Sequence, residues 1–429
     1  MVPSFHRMKV LFVTYRFFPE RGGSETYTYS VAKYLHKLGT TVIFFTIGEN
    51  TRKYSYDGFD VWSIGFGDFT SDNFNKSIIS LITDEKPAWL HFHYIPSVIS
   101  PCLIDEIKKM KIRLAFTFHH PSSLCPKGDF VRYSNPCLVP VDVDSCFPCV
   151  ASSLGAKSLI PDLLNIVPMQ VLGFFADFLR NGKFKTGLKL KGKIFTVIKL
   201  YIEIMGEFDK IFVLADWCKE KLKTVGIEES KILVSRLGVT NCDIKLLKLN
   251  TMINDKIKLI FVGRLDSVKG IHVVIKALMQ INNPRISLDI FGPLQTVSTE
   301  LKILLEGNDI GKVNVFYKGL LEDELVVETI SKYNLAIVPS MTFETGPYTV
   351  IEAFQAGVPV VGTDIPGINE MVISGYNGVL VPFGSIDGWV DVFDKFLNNY
   401  WIISELAKNV SWSPSMEDVA SDLIIEYNK

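Results

Sequence analysis

Short unbroken apolar runs recur along this chain, most of them closed by Gly, Pro or Ser and followed by a stretch with helical spacing. Such runs read as strands buried on both faces, and their alternation with helices is the pattern of a parallel, doubly wound sheet. The N-terminal half has them at 8–14, 41–48, 89–94, 114–120 and 209–214, with a shorter one inside KILVSRLGV at 231–239. The C-terminal half has them at 258–263, 286–292, 313–319, 333–339 and 358–363. After the first run, Tyr27, Val31, Tyr34, Leu35 and Leu38 repeat at helical spacing, and Gly39 stops them. Further helices are expected at 217–225, from His272 onward, at 322–331, through Glu352, and at 389–397, 403–408 and 411–427. The polar stretch 240–255 lies between the two halves. The expected architecture is α/β, with one doubly wound domain over 1–240 and a second over 256–410.

One stretch organises the C-terminal half: VPSMTFETGPYTVIEAFQAGVPVVG at 338–362. A strand ends at Pro339-Ser340, a loop crosses Gly346-Pro347, a helix runs through Glu352, Ala353 and Phe354, and Gly357 stops it before the next apolar run. Ligands of open parallel sheets bind beyond the carboxyl ends of the strands. A loop there that feeds a helix offers backbone N–H groups and the positive end of the helix dipole to an anion. Glu344 and Glu352 have seven residues between them. Two glutamates at that spacing also occur by chance on an ordinary strand–helix–strand unit. The full string is far more specific, with P-S before it, E-T-G-P inside it, E-A-x-x-A-G-x-P-V-V after it, and Gly367 and Glu370 completing a downstream G-x-x-E.

This string resembles the E-x7-E segment of retaining glycosyltransferases of the GT-B fold, glycosyltransferase family 4, the group 1 glycosyl transferases. The resemblance covers nearly the whole chain, most strongly 258–382 and least 150–210. It implies two Rossmann-like doubly wound domains facing a central cleft, with the last helix, within 411–429, returning to the N-terminal domain. It implies an acceptor bound by the N-terminal domain and a UDP- or GDP-sugar donor bound by the C-terminal one. The implied reaction moves a sugar to a glycan or lipid-linked acceptor with retention at the anomeric carbon, and requires no cofactor. By the same resemblance Glu344 contacts the donor sugar hydroxyls or stabilises an oxocarbenium-like transition state. Glu352 accepts hydrogen bonds from the ribose, and Thr345, Gly346, Pro347 and Tyr348 line the donor. No side chain stands out as a covalent nucleophile, so the leaving phosphate is the expected base for the acceptor hydroxyl.

Other positions join this set. The strand at 258–263 opens into G-R-L-x-x-x-K-G, which places Gly263, Arg264 and Lys269 at a strand end. Fixed cations there stabilise the negative charge that develops on a departing diphosphate, and so take the part of a metal ion; a plain surface turn is the alternative. Gly22 and Gly23 precede a helix and let the backbone approach a ligand closely. A glycine pair is usually just a turn; in the family it faces the donor phosphates and the acceptor. His91 and His93 share one face of a strand. T-F-H at 117–119 matches the family's T-x-H, which gives His119 a role in contacting or positioning the donor sugar and His93 a supporting one. The chain departs from the family pattern at Ala215, where Ser is usual, and at Leu237, where Asn is usual.

Composition narrows the rest. The 429 residues are 48% hydrophobic and 21% charged, which suits a two-domain globular chain. A net charge of −1 gives no global case for nucleic acid. No apolar run reaches the roughly 18–20 residues of a membrane span, and the expected location is cytoplasmic. Seven cysteines do not suggest a disulfide framework. Cys125, Cys137, Cys146 and Cys149 fall within 25 residues and end in C-F-P-C, which fits either a structural zinc held by four thiolates or cysteines that merely pack. Residues 158–204 are apolar and basic, with Arg180, Lys183, Lys185, Lys189, Lys191, Lys193 and Lys199 and no acid between 180 and 199. That segment suits an anionic membrane surface, on the cytoplasmic side, or a solvated helical cap. An NAD enzyme is disfavoured because no G-x-G-x-x-G is present. An inactive scaffold, a nucleotide-sugar epimerase and a phosphorylase stay open on the same fold.

Overall fold

Strand β1 (Lys9–Thr14) is buried from Val10 to Thr14, as its unbroken apolar run requires of a strand covered on both faces. The structure, a computed structural model, describes residues 8–18, 22–156, 183–239, 256–306 and 314–429. The chain divides into two compact units, Met1–Tyr133 with Cys137–Arg236 and Met416–Lys429, and Ser134–Pro136 with Leu237–Ser415. The expected linker at 240–255 lies outside the described residues.

After β1, in chain order, come β2 (Thr41–Gly48), β3 (Arg52–Tyr56), β4 (Phe59–Gly65), β5 (Trp89–Phe92), β6 (Arg113–Phe118), the two-residue β7 (Val131–Arg132) and β8 (Asn135–Pro136), β9 (Lys210–Val213) and β10 (Ile232–Val234). Eight of them form one sheet in the order β10-β9-β6-β5-β1-β2-β4-β3, parallel except for the β3–β4 pair at one edge. Chain order reverses direction at β1, whose neighbours are β2 and β5, with Val13 opposite Phe45 and Phe92. The described helices between these strands are α1 (Gly23–Lys37), α2 (Ser71–Glu85), α3 (Pro101–Lys109), α4 (Val143–Ser153), α5 (Lys183–Gly206) and α6 (Asp216–Thr224). Helix α1 buries Tyr27, Val31 and Leu35, one stripe at helical spacing, whereas Leu38 sits past its end and is 43% exposed.

The second unit carries β11 (Ile257–Val262), β12 (Ile286–Phe291), β13 (Asn314–Gly319), β14 (Leu335–Val338), β15 (Val360–Thr363) and β16 (Gly378–Val381). Their order is β13-β12-β11-β14-β15-β16, all parallel, with the reversal between β11 and β14. This is the 3-2-1-4-5-6 order of a Rossmann-like sheet. Helices α7 (Ile271–Ile281), α8 (Thr299–Glu306), α9 (Val326–Ile330), α10 (Tyr348–Gln355), α11 (Ile386–Asn398) and α12 (Trp401–Lys408) cover it. Val274 and Leu278 of α7 share a core with Trp389, Phe393 and Phe396 of α11. The helix expected at 322–331 is instead a single 3-10 turn, Asp323–Leu325, followed by the short α9.

The last helix, α13 (Met416–Tyr427), belongs to the first unit. The Trp89 indole donates to the Tyr427 carbonyl at 3.0 Å, and Arg113 lies 4.2 Å over the Trp89 ring. The Tyr427 hydroxyl is hydrogen-bonded to His91 Nδ1, and His91 Nε2 lies 2.8 Å from Thr117 Oγ1. Burial pushes the His91 imidazole down from its ordinary 6.5 to about 3. In the unfolded chain it protonates near pH 6.5, so its contribution is intact above that pH and is lost as pH falls toward 3. Each pH unit in that window costs about 1.4 kcal/mol for this one group. Urea midpoints at pH 5 and pH 7 should therefore differ less in His91→Asn than in the wild type. An equal difference in the two proteins would show that His91 is not held neutral.

Candidate functional site

The two loops that leave β11 and β14 meet at the point where the second sheet reverses. Gly263 ends β11, and the loop after it turns at Asp266, whose carboxylate accepts the Lys269 N–H at 3.2 Å. Gly270 closes that turn at φ +72°, and a β-carbon there would come within 1.8 Å of the Pro339 carbonyl oxygen. Only glycine fits, so the β11 loop presses directly on the β14 loop. The Met341 N–H donates to the Val268 carbonyl at 2.7 Å and fastens the two. Gly367, at φ +88°, does the same for Glu344: a β-carbon would lie 1.7 Å from the Glu344 carbonyl oxygen, and the Glu344 N–H donates to the Pro366 carbonyl at 3.1 Å.

Those clamps bring Lys269 and Glu344 together. Lys269 Nζ lies 2.7 Å from Glu344 Oε1, and Ser340 Oγ donates to the same oxygen at 2.7 Å. Arg264 does not join this pair. Its Nε lies 2.8 Å from Asp266 Oδ2, and its side chain is 56% exposed at the loop surface. Helix α10 begins after Thr345, Gly346 and Pro347 with no side-chain cap, and Tyr348 is its first residue. The Thr349 hydroxyl ties the helix to β11 by donating to the Val262 carbonyl at 3.1 Å. Leu237 fills the space beside Gly346, 3.0 Å from where a β-carbon would stand. Glu352 lies inside α10 rather than at its start, and burial, then the charge of Asp323, raises its carboxyl from 4.5 to about 7. Ser340 and Asp266 had no role in the sequence reading, although Ser340 lies in the P-S of the long string and Asp266 stands three residues before Lys269, the spacing of a cap.

The first unit has its own site where its sheet reverses. A cavity of about 280 Å³ opens at the carboxyl ends of β1, β5 and β6, beside the first turns of α1. Thr14, Glu25, His93, Tyr94, His119 and Tyr201 are among the residues lining it. His93 Nδ1 and His119 Nε2 are 3.0 Å apart, and the two rings stack with centroids 5.3 Å apart. Burial first, and neighbouring imidazoles second, hold both well below the ordinary histidine value, so both rings are neutral. Gly22 and Gly23 are exposed at the start of α1, with Gly22 in extended backbone that any residue adopts.

Residues 247–411 match the family model described as "Glycosyl transferases group 1", and residues 21–137 match that of "Glycosyltransferase Family 4". The chain belongs to the group 1 glycosyl transferases of the GT-B fold. WcaL of Salmonella typhimurium, provisionally named as a colanic acid biosynthesis glycosyltransferase, is 29% identical over 42% of this chain and 46% of its own length. The chain spans about half the length of the curated relatives it matches. A glycosyltransferase structure from Rickettsia africae superposes with a TM-score of 0.64 at 16% identity, over 99% of this chain and 98% of that one. HepE of Anabaena, solved with UDP and glucose, gives 0.58 at 14% identity, over 98% and 97%.

The four-cysteine cluster and the basic segment complete the description of this group 1 chain. Cys125, Cys137, Cys146 and Cys149 are free thiols. Among the described residues, no three His, Cys, Asp or Glu side chains are gathered so as to hold a metal ion. Burial, then the neighbouring Cys125 and Cys137, pushes the Cys146 thiol up to about 12. In the basic segment, 157–182 lies outside the described residues, and 186–206 follows as part of α5. Lys191 is not on the solvent face with Lys189, Lys193 and Lys199: it is 1% exposed, 3.2 Å from Asp144 on α4. Among the described residues, no helix is long and apolar enough to cross a membrane.

Glu352 gives the site a measurable pH signature. Below about pH 4.5 its carboxyl is neutral in both folded and unfolded chains. As pH rises toward 7 the unfolded chain ionises first, so the stability this group lends is lost through that window. Glu352→Gln should gain on the wild type between pH 5 and pH 8, by up to about 3 kcal/mol. Melting temperatures that differ by the same amount at both pH values would mean that Glu352 carries no such shift.

Proposed function

We propose that this chain is a retaining glycosyltransferase. It moves a sugar from a nucleoside-diphosphate donor, UDP- or GDP-linked, to a hydroxyl of a glycan or lipid-linked acceptor. The observation that carries this reading is the Lys269–Glu344 pair, clamped by Gly270 and Gly367 where the second sheet reverses. A cation fixed there, with Arg264 on the same loop, suits the diphosphate whose charge grows as the anomeric bond breaks. In the reaction the bond from anomeric carbon to phosphate oxygen breaks, and a bond to the acceptor oxygen forms on the same face. The departing phosphate oxygen takes the acceptor proton.

Glu344, fixed by Lys269 and Ser340, is the group that faces developing positive charge on the sugar. Glu352, with its raised affinity for a proton, suits the ribose hydroxyls. Arg264 and Lys269 supply positive charge without a metal ion. The UDP and glucose in HepE and the colanic acid biosynthesis named for WcaL support this donor and acceptor class. The missing dinucleotide fingerprint speaks against an oxidoreductase. A cytoplasmic location against an anionic membrane belongs to the same reading, supported by the exposed Lys189, Lys193 and Phe195 on α5.

Release of UDP or GDP from a panel of nucleotide sugars tests the proposal. One donor should be turned over, and Glu344→Gln should lower kcat by about 10²-fold or more. Arg264→Ala should raise the donor KM and lower kcat together. Turnover of no donor, or wild-type rates in both variants, would contradict the assignment.

A further inference from the structure

The loop that carries Glu344 and leads into α10 is packed on Leu237. Gly346 stands in that loop at φ +142°, where any side chain is strained. A β-carbon there would lie 3.0 Å from Leu237 Cδ1 and 3.4 Å from its Cγ. Leu237 is 3% exposed, so its side chain is fully committed to this packing. On one side of Gly346 the Glu344 backbone is clamped by Gly367, and on the other Thr349 is tied to β11. Leu237 supports the backbone between those two fixed points.

Leu237 is itself held. The Trp412 indole donates to the Leu237 carbonyl at 2.9 Å, and the Val239 N–H donates to the Pro414 carbonyl at 3.1 Å. Val239 and Ser415 form a parallel bridge. The long segment of the second unit, Leu237–Ser415, therefore has its two ends bound to each other. The Trp412 ring also lies 6.5 Å, centroid to centroid, from the ring of Phe354, which is buried on α10. One tryptophan thus meets both the helix and the leucine beneath the loop that leads into it. A leucine side chain offers the loop no hydrogen bond and holds it by shape alone.

We infer that Leu237 is a positioning residue: braced by Trp412, it sets where the Gly346 backbone stands beside Glu344 and the donor. The inference deepens the proposed transferase reading, on which it rests for that donor. Leu237 acts through the backbone of the loop. When its side chain is cut back, the loop gains freedom that donor binding must then remove, so the cost falls on binding more than on the chemical step.

Hydrogen exchange and donor kinetics on the full chain test it together. In Leu237→Ala the amides of 343–350 should exchange about tenfold faster, while those of β12 keep their wild-type rates. Leu237→Met, which refills the space, should restore the slow exchange. At a temperature where both proteins are fully folded, the donor KM of Leu237→Ala should rise about tenfold and kcat fall by about threefold at most. Trp412→Phe, which keeps a ring and removes the N–H, should raise KM by less. Gly346→Ala should cost less in kcat/KM when Leu237 is already Ala, because the two side chains compete for one space. Unchanged exchange at 343–350, a wild-type donor KM in Leu237→Ala, a loss that Leu237→Met does not restore, or strictly additive costs with Gly346→Ala would overturn the inference. Faster exchange, restored by Leu237→Met, in a chain that turns over no nucleotide sugar would uphold Leu237 as the residue that sets the loop and defeat the transferase reading. Donor turnover with unchanged exchange would defeat the role of Leu237 alone.

Discussion

Lys269 and Glu344 lie on different loops, 75 residues apart in sequence, and are held 2.7 Å from one another. The contact exists because two glycines leave no room for anything else: Gly270 lets one loop lie on Pro339, and Gly367 lets a third segment lie on Glu344. An isolated surface pair is worth about 0–1 kcal/mol. This pair is partly buried and shared with Ser340, so its value is positional: it fixes a carboxylate and an ammonium at the carboxyl ends of the central strands. Preorganised charge of that kind acts on a transition state without having to reorganise first.

The two units divide the chemistry by charge. In the second unit the loops at the sheet reversal carry Arg264, Lys269 and Glu344, ionic groups suited to a diphosphate and a developing cation. In the first unit the same topological position carries Thr14, His93 and His119, with burial keeping the imidazoles neutral. The same topological position, the carboxyl ends where strand order reverses, thus carries ionic side chains in one unit and neutral imidazoles in the other.

The second sheet was legible in the sequence because parallel strands buried on both faces give unbroken apolar runs, and the run at 333–339, whose strand is Leu335–Val338, led directly to the site. The edge pair β3 and β4 was not read. Their exposed residues, such as Arg52, Ser55 and Asp60, break the apolar pattern that marks the inner strands. Of the site residues, Lys269 and Glu344 were found from two separate strings, but their contact was not, since it depends on where two loops fold. Thr14, Glu25 and Tyr201 have no local signature and become site residues only through the ends of three strands and one distant helix. Lys191 reads as a solvent-facing lysine until Asp144, 47 residues earlier, is seen beside it.

A cationic diphosphate site on the Lys269 loop is the centre of the proposed function. Titration calorimetry of UDP and GDP into the wild type and Lys269→Met tests that most directly. One diphosphate should bind, and removing the ammonium should weaken it by about tenfold or more, the worth of a hydrogen bond to a charged group. Binding of neither nucleotide, or equal affinity in both proteins, would contradict it.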